Sequence, residues 1–127
     1  MGLKTMSLLA TATVAASGGT ALTFAEDGVS IPNGLHIIIP ADTEYQTRRS
    51  ATAKYRPPTI DPKTGVYSKD KKSICLVLPQ VLTSGKIVFN TIRLEREVHP
   101  SLPATTAVEL NKLGTQLLTD SDTEAFW

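Results

Sequence analysis

The sequence predicts an α+β chain: an N-terminal β-hairpin and an antiparallel sheet of about five strands, followed by C-terminal helix, with two copies interlocked as a homodimer. Three observations lead there. Up to residue 98 the apolar positions alternate with a period of two between Gly- and Pro-rich breaks. Beyond Pro103 the period lengthens to that of a helix. A single helix about 10 Å wide cannot cover five strands spaced about 4.8 Å apart, so a second protomer has to supply the missing cover.

Turn signals mark the elements in order. In "MGLKTMSLLATATVAAS" the apolar run resembles a secretory signal, but Thr5, Thr11 and Thr13 interrupt it. It reads better as an uncleaved strand over 5–16, with Met6, Leu8, Ala10, Ala12 and Val14 on one face. Ser17-Gly18-Gly19 then turns the chain into a strand at about 20–25, because paired glycines supply positive φ. Asn33-Gly34 is a second turn, leading into "LHIII" (35–39), which Pro40 stops. A strand over about 43–56 ends at Pro57-Pro58, since proline offers no N–H to a ladder. "TIDPKTG" is a loop with a Pro-Lys-Thr-Gly turn, and "KKSICLVL" (71–78) is a strand halted by Pro79. Thr83-Ser84-Gly85 leads into the longest strand, "KIVFNTIRLEREV" (86–98).

From Pro103, Ala107, Leu110, Leu113 and Leu117 fall on one helical face. Ser121 and Glu124 have the spacing of a capping box for a last short turn. The terminal Phe126-Trp127 pair is expected to dock. The 127 residues suffice for a single domain, with a β region over 5–98 and a helical region over 101–127.

Charge is distributed unevenly. Arg48 to Lys72 holds eight cations against two acids, a net of +6, while the remainder holds five cations and ten acids. A basic segment in an otherwise acidic chain fits a polyanionic partner, and equally a solvated loop kept soluble by its lysines. Period two places Arg48, Ser50, Thr52 and Lys54 on one face of their strand, and Arg49 awkwardly on the other. Lys71, Ser73, Cys75 and Val77 point outward from the next strand, as do Phe89, Thr91, Arg93, Glu95 and Glu97 from the last. Ile74, Leu76, Leu78, Ile92, Leu94 and Val98 point inward. Cations can neutralise phosphates, hydroxyls can meet 2′-OH groups or base edges, and Phe89 offers a stacking surface.

The single Cys75 permits no intrachain disulfide and fits a reducing compartment. His36, His99 and Cys75 are not at metal-ligand spacing, and no cofactor motif is present. No stretch reaches the roughly 18 apolar residues of a membrane span. No nucleophile–base pairing or phosphate loop suggests an enzyme, and Asp42, Glu44, Glu95 and Glu97 read as strand-face acids.

From residue 5 to 127 this order and punctuation resembles the coat proteins of single-stranded RNA bacteriophages, the leviviruses. The resemblance is carried by the turn over Gly18-Gly19-Thr20, Asn33-Gly34 before a strand, "RRSATAK", a strand closing in "VLP", "NTIRLEREV" and the C-terminal helix. It implies a five-stranded sheet with an N-terminal hairpin, helices interlocked across a dimer, and dimers forming an icosahedral shell around the RNA genome in the virion. Assembly would take place in the host bacterial cytoplasm. By position it implies that Arg48, Ser50, Thr52, Lys54, Lys71, Ser73, Phe89, Thr91 and Arg93 bind RNA, including a stem-loop whose occupation represses translation. Phe89 stands where better-known members have a stacking tyrosine, and the loop over 79–85 is shorter than theirs. The alternative from another class is a secreted or periplasmic small β-rich ligand-binding domain.

Overall fold

The computed structural model describes residues 3–124 and 126–127. The chain forms two compact units: Thr20–Pro100, and the N-terminal residues up to Gly19 together with Ser101–Trp127.

The first unit is a five-stranded antiparallel meander of β1 (Ala25–Ile31), β2 (Gly34–Ile38), β3 (Ser50–Arg56), β4 (Asp70–Val81) and β5 (Ile87–Val98), in the spatial order of the sequence. The Asn33-Gly34 signal closes the β1–β2 hairpin as expected. Ile31 pairs with Gly34, and Asn33 takes a left-handed φ of 53°. Glycine is required at 34, because a Cβ there would lie 2.7 Å from the Ala53 carbonyl oxygen.

Three boundaries differ from the sequence reading. The strand expected at about 20–25 is found at 25–31, where the Glu-Asp-Gly stretch forms a bulge. Gly28 adopts φ 82°, Asp27 Oδ1 accepts the Val29 N–H at 2.9 Å, and the register shifts between Glu26 and Ser30. The strand placed at 43–56 begins only at Ser50. Asp42 folds the preceding residues into a loop, accepting hydrogen bonds from the Arg49 backbone N–H (3.0 Å), Nε (2.8 Å) and a terminal guanidinium nitrogen (2.9 Å). Those bonds supply the partner that Arg49 needs, and they hold the Asp42 carboxyl down at about 2 from its ordinary 3.8, the side-chain bond contributing most. Arg49 in turn is pushed up by the same side-chain bond. Finally, β4 continues through Pro79 to Val81. Its pairing with β3 ends at Val77, so beyond that point β4 has an open edge where a residue without N–H is tolerated.

The second unit contains α1 (Ala104–Thr119) and the single turn α2 (Ser121–Glu124). Pro103 occupies the N-cap of α1. The cap of α2 is Asp120, whose Oδ1 accepts the Asp122 N–H at 2.8 Å, in place of the capping box expected from Ser121.

The expected N-terminal hairpin strand is absent. After a short 3-10 turn over Leu3–Thr5, residues 6–24 contain no strand. Residues 7–11 lie instead along the helices, and helix side chains substitute for a neighbouring strand. The backbone N–H groups of Ser7, Leu9 and Thr11 donate to Asp122 (3.0 Å), Gln116 (2.8 Å) and Glu109 (2.7 Å). The Gln116 amide also donates to the Leu9 carbonyl at 2.8 Å, so it satisfies both backbone groups of one residue as a paired strand would. This pair of bonds explains why a glutamine only 5% exposed is tolerated there. Phe126 and Trp127 meet edge to face at 5.2 Å, and the indole N–H donates to the Leu117 carbonyl at 2.9 Å. Both rings stay largely exposed, so the expected docking is confined to that one bond.

Among the described residues few apolar side chains are buried: Ile39, Ala51 and Val98. On the inner face of the sheet Ile74 is 52% exposed, Ile92 46% and Leu94 56%, and on α1 Val108 and Leu110 are exposed as well. Full burial of such a side chain is worth about 1.5–3 kcal/mol, and roughly half of that is unrealised at each of these positions. An apolar face of this extent marks an interaction surface.

Two outcomes test the local structure. Replacing Gln116 by Leu leaves the Leu9 N–H unmatched and its carbonyl with only the long 3.4 Å bond from the Ala12 N–H, which should cost about 1–3 kcal/mol in chemical denaturation and expose residues 6–12 to protease. For Asp42, the folded value lies below the ordinary one, so its contribution is complete above pH 3.8 and is lost as the pH falls through about 2. Hydrogen exchange at the Arg49 amide should therefore be accelerated in Asp42→Ala at neutral pH. In the wild type, that protection should fall away only in strong acid.

Candidate nucleic-acid interface

Directly paired residues in an antiparallel sheet present side chains on the same face, so the register sorts the whole sheet. One face carries the rows Ile37–Ala51–Leu76–Ile92 and Leu35–Ala53–Ile74–Leu94. The other carries Ile38–Ser50–Val77–Thr91, His36–Thr52–Cys75–Arg93, Gly34–Lys54–Ser73–Glu95 and Arg56–Lys71–Glu97. Every outward and inward assignment made from the periods of β4 and β5 is reproduced in this register.

Of the nine positions singled out by sequence, eight share the polar face. Ser50, Thr52 and Lys54 line β3, Lys71 and Ser73 line β4, and Phe89, Thr91 and Arg93 line β5. Phe89 pairs with Pro79 near the far end of the sheet and is 64% exposed. Arg48 is the exception. It precedes β3, its Nε donates to the Asp42 carbonyl at 3.0 Å, and its guanidinium lies 5.5 Å from the centre of the Tyr45 ring. Arg48 therefore lies in the 42–49 loop, before the strand pairing that assigns the other eight to the polar face.

The face is not uniformly cationic. Lys71 Nζ lies 3.1 Å from Glu95 and 4.0 Å from Glu97, a cluster exposed enough that its stabilising effect is about 0–1 kcal/mol. The two acids neutralise Lys71, which shares its row of the face with Arg56. Among the described residues Lys54, Arg56 and Arg93 have no carboxylate partner and remain available to an anion. They surround a shallow depression of about 600 Å³, whose lining also includes Asn33, Thr52, Ser73, Cys75 and Glu95.

His36, Asn33 and Arg56 were missed as members of this surface. The signal for His36 was present, since it alternates with Ile38 and the strand's pairing with β3 brings it opposite Thr52. Among the described residues no group of histidine, cysteine and acidic side chains could hold a metal ion. Among the described residues no helix is long and apolar enough to cross a membrane.

A search of solved structures finds the virus-like particle of bacteriophage GQ-907, with a TM-score of 0.89 and 42% sequence identity, covering 99% of this chain and 95% of that one. The chain belongs to the bacteriophage coat proteins. The virus-like particle of bacteriophage AVE019 shares the fold of this coat protein, with a TM-score of 0.62 at 11% identity over 80% of this chain and 78% of that one. No protein-family model and no curated protein sequence matches the coat protein. Its likeness to GQ-907 is consistent with a coat protein of the levivirus type and assigns it to the virion, as a subunit of a capsid built from copies of itself. That assignment displaces the alternative of a small ligand-binding domain.

Proposed function

We propose that this coat protein encloses single-stranded RNA, assembling from homodimers into an icosahedral shell whose inner surface is the polar face of the sheet. The observation that carries this reading is the division of one sheet into two unlike faces. The hydroxyl and cation rows of β3, β4 and β5 suit a sugar–phosphate chain: Lys54 and Arg93 neutralise phosphate, while Ser50, Ser73 and Thr91 hydrogen-bond to sugar or base. The opposite face, with Ile74, Ile92 and Leu94 about half exposed, suits a second copy. A partner protomer would cover it with helices like α1, whose Val108 and Leu110 are exposed too.

On this reading the 127 residues act as one coat-protein domain, assembled in the host bacterial cytoplasm. Its task is binding and assembly, with no bond made or broken. The same face also serves as a translational repressor by holding an RNA stem-loop, with Phe89 as the stacking surface in place of a tyrosine.

Expression of the chain alone should yield large RNA-containing particles in electron micrographs; discrete dimers free of nucleic acid would count against the reading. Changing Lys54 and Arg93 together to Glu should lower the RNA content of purified particles while dimers remain folded. The salt dependence of RNA binding should also become shallower, by about one unit of log–log slope for each cation removed. Unchanged RNA content would show that this face does not meet the genome.

A further inference from the structure

The polar face holds one line of side chains that its cation rows leave unexplained. Asp27 on β1, His36 on β2 and Thr52 on β3 stand side by side across three strands. The bulge at Gly28 shifts the register where Asp27 sits, and Asp27 Oδ2 lies 3.3 Å from His36 Nε2. On the other side of the ring, His36 Nδ1 is hydrogen-bonded to Thr52 Oγ1 at 2.9 Å. All three residues are half-buried, and Thr52 goes on to line the depression beside Lys54, Ser73 and Arg93.

We propose that Asp27 and His36 are positioning residues that set the hydrogen-bond polarity of Thr52, so that its hydroxyl meets RNA as an acceptor and selects nucleobase amino groups. This rests on the reading of the polar face as the RNA surface. An ionised carboxylate only accepts hydrogen bonds. Placed beside Nε2, Asp27 favours the imidazole tautomer with its proton on that nitrogen, as carboxylates do for histidine elsewhere. In that neutral ring Nδ1 carries a lone pair, and Thr52 donates its one hydroxyl hydrogen to it. Toward the depression the oxygen then offers lone pairs alone. Phosphate and carbonyl oxygens, which only accept, gain nothing from it. The exocyclic amines of adenine and cytosine can donate to it, and each is the only donor on the edge of its base.

The test compares short labelled oligonucleotides of adenosine or cytidine with the same oligonucleotides lacking the exocyclic amine (purine riboside and pyrimidinone riboside), titrated with the full-length protein. The wild type should bind the amino-bearing probes about fivefold more tightly, the range of one net hydrogen bond. Thr52→Val, close in shape, should erase that ratio, and Thr52→Ser should restore it. His36→Phe should erase it as well, because the hydroxyl of Thr52 is then free to turn its hydrogen outward. Salt dependence should be the same in every variant, since no phosphate-neutralising cation is removed, and a merely structural role would not separate these two readouts. Equal binding of both probe types by the wild type overturns the inference, as does a ratio that survives in Thr52→Val. A ratio that survives in folded His36→Phe also overturns it. If His36→Phe does not fold, Asp27→Ala takes its place with the same expected loss. Failure of the wild type to bind any of the four probes defeats the RNA-facing reading itself, and the inference with it.

Discussion

The pairing of β3 with β4 and of β4 with β5 is the constraint on which the rest of this protein depends. Side chains alternate across a strand with a period of two, so a slip of one residue would exchange the faces completely. With Ser50 opposite Val77 and Val77 opposite Thr91, the hydroxyls and cations gather on one side and the aliphatic residues on the other. A slip would bring Ile74, Leu76 and Leu94 among the lysines and leave Lys54 and Arg93 facing apolar neighbours. The cost of that exchange pins the register more firmly than any turn could.

The same sorting produces both properties that a shell subunit requires. A polar face with unpaired cations has no use for further protein, and a half-exposed aliphatic face has no use for water. Neither surface is an accident of poor packing, because each is continuous along three strands. The ion cluster of Lys71 with Glu95 and Glu97 refines the polar side by neutralising that lysine. The cations left without a carboxylate partner among the described residues, Lys54, Arg56 and Arg93, lie around one depression with the hydroxyls of Thr52 and Ser73.

The helical unit solves a different problem with different means. An extended segment outside a sheet has backbone groups without partners, and leaving them unmatched is expensive. Here α1 and α2 supply acceptors from Glu109, Gln116 and Asp122 at intervals that meet alternate residues of the segment. The alternation read over residues 6–14 as a strand survives in part: the N–H groups of residues 7, 9 and 11 meet a helix surface, but a turn in which Thr11 takes a left-handed φ of 63° interrupts the segment. Period reports which residues of a segment face the same way. It does not report what lies beside them.

Much of the fold is legible in the order of the residues alone. Which residues share a face, where helix replaces strand, and which segment carries the positive charge all follow from the sequence, because period two and the helical period are properties of the backbone itself. The tertiary structure alone decided which groups meet. Arg49 finds Asp42 because a loop forms where a strand was expected, and Arg48 lies outside the paired strand for the same reason. Asp27 reaches His36 by way of a bulge, and Leu9 finds Gln116 across 107 positions of chain. Such contacts depend on loop closure, bulges and register, and these are settled by the joint free energy of the whole chain, so no local spacing records them.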